Sequence, residues 1–501
     1  MRRLILSIDQ GTTSSKVLLM CAASGDVLAE SAAPVGITYP RPGWVEQDAT
    51  DIWNSVMAAA GQCLSGATAA DVIGVAISNQ RESVVAWHAT TGEALGPVLG
   101  WQDSRTAAWC ATQGAHDALI RERTGLQVDA MFSAPKIRWL LADLAARGFD
   151  LADVRVGTID SWLIYRLTGE HLIEAGNASR TLLLNTKTVA WDDDLLAIFD
   201  VPRSVLPEVR PSTGPFGSLR SGALDGLAGI PVAAVLADSH SALYHHGQGR
   251  SGVGKATYGT GSSVMLPKRE RKDATLAWWC GLDTIAALPT QPPGGLGARG
   301  VPQFAAEGNI LTSGAGLDWM ARTLGAPDGM PGGAFLTELA TTESDAGGVS
   351  FVPAFTGLGA PHWDRDATGT LTGITGGTTR GNIARAALDA VAHQVADVIE
   401  AVGTGADLLV ADGGATRSEL LMQTQADLLG RPVEVSASPH ASALGVADLA
   451  ALVLTGTAPA PTKNRIVYLP QIGDDERLAR RVAWRQAVRR ARGQALYPTT
   501  T

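Results

Sequence analysis

Between two apolar runs in the segment Leu4 to Met20 stand eight residues that could hold a charged ligand, Asp9-Gln10-Gly11-Thr12-Thr13-Ser14-Ser15-Lys16. A turn of Gly, Thr and Ser between strands presents backbone N–H groups and hydroxyls that can wrap phosphate oxygens, and a carboxylate at its mouth, Asp9, is suited to Mg²⁺. An ordinary solvated hairpin draws on the same residue types, so this stretch alone does not decide between the two readings. A second stretch, Lys255 to Leu266 (KATYGTGSSVML), repeats the pattern of strand, Gly/Thr/Ser turn and strand about 250 residues later. Two such hairpins, one in each half, suggest two similar domains that close on one nucleotide.

The third feature is Asp238, which ends the continuous apolar run Pro231 to Ala237. The run reads as a buried central strand, and the C-terminal end of such a strand is where open α/β sheets bind ligands. Asp238 as N-cap of a helix Ser239 to Tyr244 is compatible with that role. Arg81 and Glu82 lie on a short turn, Asn79 to Ser83, between the apolar strands Val72 to Ser78 and Val84 to His88. Such a pair is either a solvated surface pair or a ligand-binding one, and strand-end turns favour the second. Trp101, just past another strand, is readable as core packing or as a ligand wall. Gly413 and Gly414 would let a ligand approach the backbone near a helix N-terminus.

Other signals point away from rival chemistries. Gly247 to Ala256 contains both a G-x-G-x-x-G pattern and a near P-loop, yet Ala256 stands where the latter needs Ser or Thr, and a strand follows where a helix should begin. His240, His245 and His246 lack further ligands at metal-site spacing and read as structural. The four cysteines, Cys21, Cys63, Cys110 and Cys280, form no C-x-x-C pair, as expected in a reducing compartment. A net charge of −9 over 501 residues, with no basic cluster longer than Lys268 to Lys272, disfavours nucleic acid as a partner. Asp9 interrupts the short apolar start, so no export signal forms, and no run is long enough to span a membrane, giving an expectation of a cytoplasmic protein.

These residues need an α/β frame to position them. The patterns predict strands over Val27 to Ala32, Gly36 to Tyr39, Val154 to Thr158 and Asp407 to Val410. They predict helices over Thr50 to Leu64, Thr106 to Arg123, Ala134 to Arg147, Asp160 to Thr168, Asn382 to Val402 and Ser418 to Leu429. Phe351 to Asp364, rich in Gly and Pro, reads as an interdomain loop, and the tail beyond Ala495 as a surface segment.

The order and spelling of several stretches resemble the FGGY carbohydrate kinases, with the glycerol kinases the nearest branch. They are Ile8 to Ser15, Pro42 to Asp48, Asn79 to Glu82, Asn177 to Arg180, Tyr258 to Gly261, Phe355 to Pro361 with Trp363-Asp364, and Asp412 to Ala415. The resemblance implies an α/β fold of two actin/hexokinase-like (ribonuclease-H-like) domains with an interdomain cleft. Residues 1–246 would carry substrate and base, and 247–501 the nucleotide. It implies ATP with Mg²⁺ as cofactors, a small polyol or sugar as partner, and a homodimer or higher homo-oligomer. Asp238 matches the general base and, with Asp9, the metal-associated carboxylates. Thr12, Thr13, Ser14, Lys16, Thr260, Gly261, Gly314, Asp318, Gly414 and Ser418 match nucleotide contacts. Arg81, Glu82, Trp101, Met131, Asp238, Ser239 and Ser263 match the acceptor pocket.

Departures from that branch bear on the acceptor. Met131, Ser239 and Ser263 stand where glycerol kinases carry Tyr, Gln and Phe, which removes a phenol, an amide and an aromatic wall. One methylene of packing decides ~1–3 kcal/mol, so a four- or five-carbon polyol or ketose is expected to fill the pocket better than glycerol. Lys16, Asp318 and Ser418 replace Arg, Gln and Asn, which alters nucleotide affinity. Gly222 to Ile230 lacks the Gly-Thr-Arg element tied to sugar-phosphate inhibition. The expected reaction is ATP-dependent phosphorylation of a primary hydroxyl. Glycerol kinase proper is one alternative, and an actin- or chaperone-like ATPase switch without a small acceptor is another.

Overall fold

The computed structural model describes residues 3–66, 69–248, 250, 252–268, 270–281, 300–403, 406–436, 438–460 and 465–494. The chain forms two units: Met1–Ser251 with Lys268–Ala305 and His440–Pro461, and Gly252–Pro267 with Ala306–Pro439 and Thr462–Thr501.

The first unit is built on a five-stranded sheet. Leu4–Gln10 and Ser14–Cys21 form the predicted hairpin, and Val27–Pro34 extends it antiparallel; Val72–Asn79 pairs parallel with Leu4–Gln10, and Val232–Ala237 parallel with Val72–Asn79. Numbered by appearance, the strand order is 3-2-1-4-5. The strand before Asp238 is therefore an edge strand, not the central one its apolar run suggests. It is nonetheless buried along its whole length, because the helix Ala441–Thr455 packs against it and against the two strands beside it. A second, four-stranded sheet takes Val84–His88 away from Val72–Asn79, so Arg81 and Glu82 lie where the chain crosses between sheets.

Five strands of a larger, seven-stranded sheet follow the same order in the second unit. Val253–Tyr258 and Ser262–Lys268 form a hairpin, Pro302–Ile310 lies beside the second strand, Leu408–Asp412 pairs parallel with the first, and Val433–Val435 follows in parallel. Its core is the helix Arg380–Val402, whose Ala- and Val-rich face is buried against the sheet and helices. Arg481 of the helix Asp474–Ala491 fastens this core by ion pairs to Asp397 (2.5 Å) and Glu400 (2.9 Å).

Several expectations are corrected. Gly36 to Tyr39 is not a strand; only Thr38 bridges, to Glu46. The single helix over Thr106 to Arg123 is broken into Ala107–Cys110, Gly114–His116 and Asp117–Thr124, with Gly114 opening the middle turn. Asp238 is not the N-cap of its helix but its first residue, after Ala237. Phe351 to Asp364 falls wholly inside the second unit. Gly249 of the G-x-G-x-x-G pattern and the tail beyond Gln494 lie outside the described residues.

Candidate active site

In the first unit, the first hairpin, the end of Val72–Asn79 and the end of Val232–Ala237 bring the predicted residues together. Register places Asp9 between Lys16 and Ser78 on the flanking strands. Burial and the neighbouring Asp238 charge push the Asp9 carboxyl up to about 6, with Ser78 and Lys16 pulling it down. Arg81 Nε lies 3.2 Å from Asp238 Oδ1, with side chains 12% and 36% exposed, so the carboxylate is held yet open to a ligand. A second hold comes from the Ser239 N–H, which donates to Asp238 Oδ1 at 2.5 Å. Trp101 Nε1 donates to Thr12 Oγ1 at 3.1 Å, tying the indole to the hairpin turn. Thr13 is exposed in that turn, and Ser14 and Lys16 are half-buried.

Of the two readings open to Glu82, the solvated one fails. Glu82 is buried, sits at φ 62°, and its Oε1 accepts from Arg180 Nε at 2.6 Å. A side-chain-bearing residue in the left-handed region costs energy and concentrates at functional sites. Arg180→Met would strand this carboxylate in the interior. The expected loss is about 3 kcal/mol of unfolding free energy, read by denaturant titration, with a weaker acceptor KM. Unchanged stability would contradict the pairing.

Sequence reasoning missed the amide chain behind these residues. Gln80 Nε2 donates to Gln10 Oε1 and Gln47 Oε1, each at 3.0 Å, and Ser83 Oγ donates to Gln80 Oε1 at 2.9 Å. Gln47 Nε2 in turn donates to the Thr12 carbonyl at 2.8 Å, and the Trp101 N–H to Ser83 Oγ at 3.0 Å. The hairpin turn and Trp101 are thus set by one buried polar network, which fixes geometry because unmade bonds there are costly. Its signal was available: three glutamines beside Gly, Asp and Arg, each a polar residue next to an apolar strand.

Met131 lies outside the contacts just described. Its N–H donates to Asp129 Oδ1 at 2.8 Å, and its carbonyl accepts from Lys136, a buried lysine also missed, whose pKa burial lowers to about 8. Of the histidines after Asp238, His245 is paired, its Nδ1 2.8 Å from Asp448 Oδ2.

In the second unit the turn Gly259-Thr260-Gly261 sits on the start of the helix Gly314–Thr323. The Gly314 N–H donates to the Gly259 carbonyl at 2.9 Å, and the Ser313 and Ala315 N–H groups to the Thr260 carbonyl, each at 3.0 Å. A Cβ on Gly314 would come within 2.6 Å of the Gly259 carbonyl oxygen, and one on Gly261 within 2.4 Å of that of Ile310, so both positions need glycine. Gly413, at φ 98°, packs on the Tyr258 backbone and opens the turn Gly414–Arg417. Ser418 caps the helix Glu419–Leu429 and accepts the Thr337 hydroxyl at 2.7 Å. Asp318 is exposed on its helix and accepts the Gly332 N–H at 3.2 Å. Ser263 donates to Glu307 Oε1 at 3.2 Å. The second-unit candidates gather around the hairpin turn and the helix starts that follow it.

Comparison with known proteins agrees with this arrangement. The N-terminal domain model of the FGGY family of carbohydrate kinases matches residues 4–244, and the C-terminal domain model residues 254–454. A glycerol kinase of Alkalilimnicola ehrlichii is 41% identical over 512 residues, covering 98% of this chain and 99% of that one. An apulose kinase of Pectobacterium atrosepticum is 42% identical over 507 residues, covering 97% and 98%. The solved glycerol kinase of Plasmodium falciparum with ADP superposes with a TM-score of 0.85 at 27% identity, over 98% of each chain. The chain, with a Gly/Thr/Ser hairpin turn in the sheet of each unit, belongs to the FGGY family of carbohydrate kinases.

Proposed function

We propose that the enzyme transfers the γ-phosphoryl group of ATP to a primary hydroxyl of a small polyol or sugar, with Asp238 as general base. The observation that carries this reading is the cluster of Asp9, Arg81 and Asp238 beside the Thr12 turn. Kinship to a glycerol kinase and an apulose kinase at about 40% identity supports the acceptor class.

Phosphoryl transfer asks for alignment and charge neutralisation more than covalent chemistry. Asp238 accepts the hydroxyl proton as the acceptor oxygen forms its bond to phosphorus and the bond to the ADP oxygen breaks. Arg81 fixes the carboxylate that does so. Glu82, locked by Arg180, and Trp101, locked by Thr12 and Ser83, orient the acceptor. Thr12, Thr13, Ser14 and Lys16 from the first half and Thr260 and Gly261 from the second donate to phosphate oxygens. Gly314, Asp318, Gly414 and Ser418 receive the nucleoside, with the second unit as the nucleotide domain and the first unit as the substrate domain. Asp9 and Asp238 suit Mg²⁺: their mutual repulsion is relieved by a cation, and Mg²⁺ takes one or two carboxylates plus substrate phosphates. When bound, the ion neutralises charge on the triphosphate.

Met131, Ser239 and Ser263 leave room in the acceptor pocket. ADP release with glycerol, erythritol, ribitol, xylitol, xylulose and ribulose tests this reading. A four- or five-carbon acceptor is expected to exceed glycerol in kcat/KM by tenfold or more, the equivalent of ~1.4 kcal/mol of packing. Glycerol ahead by such a margin would return the pocket to that of a glycerol kinase proper.

A further inference from the structure

A cavity of about 590 Å³ in the first unit has Asp48, Thr50, Glu93, Tyr165, Arg166 and Arg220 in its wall, and none of Asp9, Thr12, Arg81, Trp101 or Asp238. Arg166 is set there by aromatic packing: its guanidinium carbon is 4.6 Å from the Trp53 ring centroid and 5.1 Å from that of Trp162. Arg220 is set by its backbone, whose N–H donates to the carbonyl of Leu167, the residue after Arg166, at 2.9 Å. Neither guanidinium has a hydrogen bond or an ion pair among the described residues.

Two like charges facing one cavity repel, and burial together with the Arg220 charge lowers the Arg166 pKa. Two carboxylates share the wall, but among the described residues neither pairs with these arginines: Asp48 caps its helix through the Thr50 and Asp51 N–H groups, and Glu93 accepts the Thr91 hydroxyl at 3.4 Å. A doubly charged oxyanion satisfies both forks, and planar guanidinium groups match phosphate oxygens bidentately. The cavity is larger than a bare phosphate ion, and Thr50 and the Tyr165 oxygen can meet hydroxyls of an attached group.

We infer that this cavity is a phosphoryl-group site, held by Arg166 and Arg220, for phosphate either free or esterified to a small hydroxylated molecule. The inference goes beyond the proposed reaction and does not depend on it.

Calorimetric titration of the full chain in phosphate-free buffer tests it, with inorganic phosphate, glucose 6-phosphate and citrate as probes on wild type and Arg220→Gln. Arg220 is exposed, and its side chain makes no bond that folding needs. Both proteins keep the same hairpin turns, so the difference between them isolates the arginine pair. The expected result is saturable binding of a phosphate probe to wild type and at least tenfold weaker binding to the variant, with its kinase rate in phosphate-free buffer unchanged. Equal affinity for both phosphate probes assigns the site to free phosphate, and tighter glucose 6-phosphate to an ester; either supports the inference. Three results would overturn it: no saturable binding of either phosphate probe, equal affinity in both proteins, or citrate bound as tightly as phosphate through Arg220.

Discussion

Asp238→Asn is expected to lower kcat by about 10²- to 10⁴-fold while leaving ADP affinity and unfolding free energy near wild type. The side chain is at the start of its helix, partly open to solvent, and its contacts include the Arg81 guanidinium and the Ser239 N–H. An amide preserves shape and can still accept both, but it cannot take a proton from an attacking hydroxyl. Nucleotide affinity is the internal control, because the Thr260 turn and the Gly413-Gly414 turn belong to the other unit. A variant that turns over at the wild-type rate would remove Asp238 from the role of base. One that loses ADP binding as well would make Asp238 a structural residue.

Gly445→Ala is expected to cost about 3 kcal/mol or more, against the gain of about 1 kcal/mol that alanine normally brings to a helix interior. Gly445 is buried in the helix Ala441–Thr455, where a Cβ would lie 1.9 Å from the Ser241 carbonyl oxygen. That oxygen is backbone of the helix Asp238–Gly247, so it cannot swing aside as a flexible side-chain tip would. The helix would have to move, and it carries the proposed base, Asp238, at its first position. Denaturant unfolding and turnover should fall together. A Gly445→Ala protein as stable as wild type would contradict the close approach of the two helices.

Much of this arrangement is legible in the residues themselves. Both hairpins carry their turn chemistry in the local spelling, and Val84–His88 and Val154–Thr158 are bounded by the residues their apolar pattern predicts. All but one of the failures share a cause, information held by distant chain. The helix Ala441–Thr455 is buried on nearly all sides, so it shows no polar stripe, and nothing in its sequence says that it packs with the first unit. The run Pro231 to Ala237 reads as central because apolar residues cover both faces, but the cover on one side is that same helix. The burial of Glu82 was not legible because its partner, Arg180, is 98 residues away. The break near Gly114 is local, yet the flanking polar residues fit a continuous helix equally well.

Within the site, chemistry-bearing residues at strand ends stood out because a carboxylate or an arginine there interrupts an apolar run. The supporting glutamines stood beside strands too, but an amide there does not say which group it bonds. Lys136 escaped for the opposite reason, lying on a helix whose pattern would place a lysine at the surface, whereas its ammonium turns inward to the carbonyls of Ala130 and Met131.

The account rests on a nucleotide whose terminal phosphoryl group is delivered to an acceptor hydroxyl readied by Asp238. The most direct test is ADP release by the wild-type chain with Mg²⁺ and ATP, measured with and without a small polyol or pentulose, alongside isolation of the phosphorylated acceptor. The account predicts that the acceptor raises ADP release at least a hundredfold and that phosphate ester accumulates in equal amount. Steady ATP hydrolysis at the same rate without acceptor, and no ester, would contradict it and leave a nucleotide-driven switch in its place.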